Sequence, residues 1–82
     1  MQVLQLFYSS DSEACMRTLR MLEDLVEQKD EDIVLMAHDV GTEEGREKAR
    51  EFDVSTVPTT IVDGDRIIRG VPQSQEQVLE DR

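Results

Sequence analysis

The hydrophobic pattern changes period several times along the chain. Residues 2 to 8, QVLQLFY, alternate apolar with polar positions and are rich in β-formers, which predicts a strand. From about Ser12 to Gln28 the period lengthens. Cys15, Leu19, Leu22 and Val26 fall at helical spacing, and Met16, Met21 and Leu25 widen the stripe. Ser10 with Glu13 has capping-box spacing, and Ser12 is a competing N-cap. KDED, residues 29 to 32, is a polar turn.

Residues 33 to 40, IVLMAHDV, carry the nearly continuous apolar run of a buried parallel strand. On this reading Met16, Met21 and Met36 belong to the core. A charged helix is expected from about Thr42 to Phe52, with Ala49 and Phe52 as its few apolar contacts. TVPTTIVDGDRIIRG reads as a hairpin, with strands over 58–62 and 66–69 joined at Asp63-Gly64. A short helix follows Pro72.

The predicted order is β-α-β-α-β-β-α. The first crossover is long enough for a right-handed parallel βαβ unit, and the hairpin must be antiparallel. Together these give an α/β domain with a mixed four-stranded sheet and helices on both faces. With 82 residues the chain is expected to be one domain, 1–82, burying roughly 60 % of its unfolded surface.

Charge changes the picture of possible partners. Nineteen acidic and nine basic residues leave a net charge of −10. Such a surface repels nucleic acid and anionic lipid, so neither is an expected partner. The acids run from Asp11 to Asp81, as on a folded acidic surface rather than a disordered tail. Abundant Asp and Glu with only two lysines resemble cytosolic proteins of salt-accumulating archaea. At molar salt the Debye length shrinks to about 3 Å and most of this repulsion is screened. No leader or long apolar run is evident, so a cytoplasmic protein is the expectation.

One cysteine excludes an internal disulfide, and no His/Cys cluster offers a metal site, so neither metal nor cofactor is expected. Cys15 lies near the first turn of a helix entered from a strand end. There free N–H groups and the dipole favour negative charge. Pro58 opens the third strand, where a residue without an N–H is tolerated. His38 and Asp39 read as strand-end residues, and Ser12 as a helix cap rather than a nucleophile.

LFYSSDSEAC, HDV and EFDVSTVPTTIVDGDRIIRGVP together resemble the thioredoxin and glutaredoxin-like family, most closely its small archaeal members. The resemblance covers nearly the whole chain, and its most specific part is V-P-T, a strand, a D-G turn, a strand and G-x-P. It implies a thioredoxin-like fold, a cis Val57-Pro58 bond and a substrate groove at Thr56, Val57 and Pro58. It also places Ser12 where the family has its attacking cysteine and Cys15 where it has the resolving one. The motif is therefore S-x-x-C in place of C-x-x-C, and dithiol exchange within this chain is impossible.

Two functions remain open on the sequence. In one, Cys15 acts alone or with an external thiol on a protein or small-thiol disulfide. Asp11 and Glu13 oppose a thiolate there, and they disfavour anionic glutathione as partner. In the other, a redox-inactive domain binds an extended peptide beside Val57 by strand addition. A monomer is expected, with a Cys15-linked dimer as its variant. A further possibility is that Ser12 replaces a cysteine by design.

Overall fold

A computed structural model describes residues 1–29 and 32–79. It contains β1 (Gln2–Tyr8), α1 (Glu13–Lys29), β2 (Ile33–Asp39), α2 (Glu43–Glu51), β3 (Thr59–Val62), β4 (Arg66–Arg69) and α3 (Gln75–Leu79). The middle of the expected 29–32 turn lies outside the described residues. The strands form one mixed sheet in the order β2-β1-β3-β4. β1 and β2 are parallel, and the other two pairings are antiparallel.

Alternation along β1 sends its side chains to two separate cores. Leu4 and Leu6 join Leu22, Leu25, Val62, Ile68 and Val78 beneath α1 and α3. Phe7 points the other way, packing with Ala49 and Ile61 beneath α2. Each such fully buried Leu or Phe contributes about 1.5–3 kcal/mol. Helices therefore cover both faces, as the periodicity predicts.

The β3–β4 hairpin turns on Asp63 and Gly64, at φ 53° and 82°. Two successive positive φ values define a type I′ turn, which suits Asp-Gly. Asp63 also fixes the register with β1. Its N–H donates to the Val3 carbonyl and its Oδ1 accepts from the Val3 N–H, both at 2.8 Å.

The pairing of β2 matches expectation but its burial does not. The strand lies at the sheet edge, and Val34 and Met36 remain 40 % and 44 % exposed. Ile33 and Leu35 face the roof of α1, whereas Val34 and Met36 face the α2 side. Nine-residue α2 packs at the carboxyl end of the strand, where Gly45 abuts the Asp39 carbonyl. Among the described residues nothing covers the amino half of that face, so Met36 is not a core residue. Met16 and Met21 are half-buried.

The third strand starts at Thr59, one residue beyond Pro58. The terminal helix starts at Gln75. Arg66 on β4 fastens α3 by donating to the carbonyls of Gln77 and Val78.

Candidate functional site at the Ser12 loop and Val57-Pro58

Strand pairing brings the two expected halves of the site together. Phe7 pairs with Thr59, so in an antiparallel ladder the next positions are Tyr8 and Pro58. The loop from Ser9 to Ser12 thus leaves the sheet beside the segment that enters β3. The carboxyl end of β2 lies at the same edge, with Asp39 level with Tyr8 and the Val40 N–H donating to the Tyr8 carbonyl at 2.8 Å.

Of the two competing caps, Ser12 begins α1. Its Oγ accepts from the Cys15 N–H at 3.3 Å, and its carbonyl accepts from the Met16 N–H at 3.0 Å. The Ser12 N–H donates to the Ser9 carbonyl, closing the loop into a turn. A serine N-cap contributes about 1 kcal/mol to a helix by satisfying a free N–H. At the position the resemblance assigns to an attacking sulfur, the side chain is therefore engaged in capping.

Cys15 is fully buried on the inner side of α1. Thr18, one turn on, is also buried and returns its Oγ1 to the Ala14 carbonyl at 3.0 Å. Among the described residues, no side chain or backbone group hydrogen-bonds the Cys15 sulfur. This is the environment of a small apolar core residue, and a reagent cannot reach it while α1 is closed.

Opposite the loop, the Val57-Pro58 bond is cis. Pro58 is buried, Val57 half-buried and Thr56 exposed. Two contacts that the sequence pattern does not reveal hold this segment. Thr59 Oγ1 donates to the Thr56 carbonyl at 2.7 Å, and the Gly70 N–H donates to the Pro58 carbonyl at 2.8 Å. Gly70 has φ 82°, a conformation that favours glycine. Between these ties Val57 is free: neither its N–H nor its carbonyl has a backbone partner among the described residues.

His38 is more than a strand-end surface residue. Its ring stacks on Phe7 with centroids 4.8 Å apart, and Nε2 lies 3.0 Å from Gln5 Oε1. Burial pushes its pKa below the usual 6.5, and Lys48 lowers it further. Asp39 is a strand-end acceptor, taking the Gly41 N–H on Oδ1 at 2.9 Å. Beside both residues an open groove of about 820 Å³ runs along the α2 side, lined by Thr42, Glu44, Glu47 and Lys48 among others.

No protein-family model matches the sequence, and no curated protein matches it. The fold itself has close counterparts among solved structures. Chloroplastic thioredoxin z superposes over 96 % of this chain and 74 % of its own, with TM-score 0.80 and 16 % identity. The thioredoxin of Fasciola hepatica covers 95 % of this chain and 78 % of its own, with TM-score 0.80 and 19 % identity. A mutant thioredoxin from Halobacterium salinarum reaches 25 % identity and TM-score 0.77, covering 95 % of this chain and 70 % of its own. The fold is thioredoxin-like.

Proposed function

We propose that this chain is a thioredoxin-like protein that binds an extended segment of a partner protein beside Val57, without dithiol chemistry of its own. The free N–H and carbonyl of Val57, flanked by the fixed turns at Thr56 and Gly70, carry this reading. An extended strand laid against Val57 would satisfy both groups, which is recognition by strand addition. The complete burial of Cys15 and the capping role of Ser12 argue against exchange at this site.

The second reading keeps a redox role for Cys15. It is supported by the position of that thiol on the first turn of α1, directly after the loop that faces Pro58. It requires the first turn of α1 to open, as does a Cys15-linked dimer. The monomer is our proposal. Reduction of a protein disulfide by wild type and by Cys15→Ala separates the readings. The binding reading expects neither protein to exceed the uncatalysed rate. Turnover by wild type that Cys15→Ala abolishes would establish the redox reading instead.

We place the protein in a salt-rich cytoplasm. The net charge of −10 supports this, and among the described residues no helix is long and apolar enough to cross a membrane. The urea midpoint should therefore rise as salt is raised toward molar concentration, because screening removes self-repulsion from the folded state. A falling midpoint would contradict the placement.

A further inference from the structure

The surface on either side of Val57 has a charge asymmetry that bears on its partner. Asp11 and Glu13 flank Ser12 in the loop next to Pro58, and both are exposed. Among the described residues neither makes an ion pair, the one pair present being Lys48 with Glu51 on α2. Arg17, one helical turn beyond Glu13, is exposed and does not neutralise it within ion-pair distance. On the other side of the Val57 segment, Asp53 and Arg69 line a small cavity with Thr56, one acid and one base with no ion pair between them. Counted as formal charges, with Arg17 included, the loop side of the Val57 segment is net negative and the Thr56 side is neutral.

We infer that the Val57 groove selects extended segments carrying Lys or Arg next to the residue that pairs with Val57, through Asp11 and Glu13. This rests on the binding reading above and specifies the chemistry of its partner. Backbone pairing at Val57 supplies attachment without sequence preference, while the two carboxylates add preference for positive charge. Exposed ion pairs contribute little each, so two of them give a preference of about fivefold. Selectivity for a basic partner would also keep this acidic protein from binding copies of itself.

The test uses three synthetic peptides with one apolar strand-forming centre, flanked by lysine, serine or glutamate. Each is titrated against wild type, D11N/E13Q and E44Q/E47Q, at a salt concentration where circular dichroism shows all three folded. Glu44 and Glu47 are exposed on α2, so their substitution removes the same charge from outside the Ser9 to Glu13 loop. The inference expects wild type and E44Q/E47Q to bind the lysine peptide about fivefold more tightly than the serine peptide. D11N/E13Q should bind the two equally. An equal loss of preference in both double variants would overturn the inference, because the whole-protein field would then be responsible. Binding of all peptides alike by wild type would overturn it while leaving the groove reading intact. Failure to bind any peptide would overturn both.

Discussion

The backbone N–H of Cys15 donates to the Oγ of Ser12 at 3.3 Å, while the Cys15 side chain points into the core and is fully buried. The residue in the expected attacking position is thus a cap for the residue in the expected resolving position. One consequence is kinetic. Cys15 should react with iodoacetamide far more slowly than a free thiol at neutral pH, and its rate should rise to the free-thiol value in denaturant. Native alkylation at or above the free-thiol rate would show that the first turn of α1 opens readily.

Placing a sulfur at position 12 tests whether the loop geometry suits a pair with Cys15. In the reduced state Ser12→Cys should lower stability by about 1 kcal/mol, the value of a lost serine cap. On oxidation it should form an internal disulfide with Cys15, read as loss of both titratable thiols and of two hydrogens in the mass. Persistence of two free thiols under oxidant would show that the loop geometry does not suit a pair.

His38 makes stability depend on pH in a definite direction. Burial holds its folded-state pKa below the unfolded value of 6.5, so the native state resists protonation. The stability associated with the neutral ring is fully present above 6.5 and is lost as pH falls through the lowered folded value. Wild type should therefore lose more stability than His38→Gln on acidification from neutral pH. Parallel curves for the two proteins would contradict this.

How much of this was legible in the sequence differs from element to element. The Asp63-Gly64 turn, the α1 stripe and the alternation of β1 report local geometry, and the structure follows them. IVLMA read as a strand buried on both faces, because apolar content cannot tell an edge strand from a central one. What leaves Val34 and Met36 exposed is the short reach of α2, a tertiary property. In the site, Ser12, Cys15 and Val57-Pro58 stood out by motif. The tie from Gly70 to Pro58 crosses the whole hairpin, so no local pattern encodes it, whereas the Thr59 bond to Thr56 joins residues only three apart. The choice of Ser12 over Ser10 as cap likewise depends on where β1 ends.

The seat of α2 offers a packing test independent of the site. A Cβ on Gly45 would overlap the backbone carbonyl of Asp39, which has little freedom to move. Gly45→Ala should destabilise the protein by about 1–3 kcal/mol, although alanine is the better helix former. An unchanged urea midpoint would mean that α2 sits further from β2 than described.

In the proposed function the segment beside Val57 receives an extended peptide without help from the thiol. Its most direct test is a titration of isotope-labelled Cys15→Ala with the lysine-flanked peptide, followed by amide chemical shifts. The largest changes are expected at Thr56, Val57 and the Ser9 to Glu13 loop, with the affinity of wild type. Changes centred elsewhere, or binding that wild type shows and Cys15→Ala lacks, would contradict it.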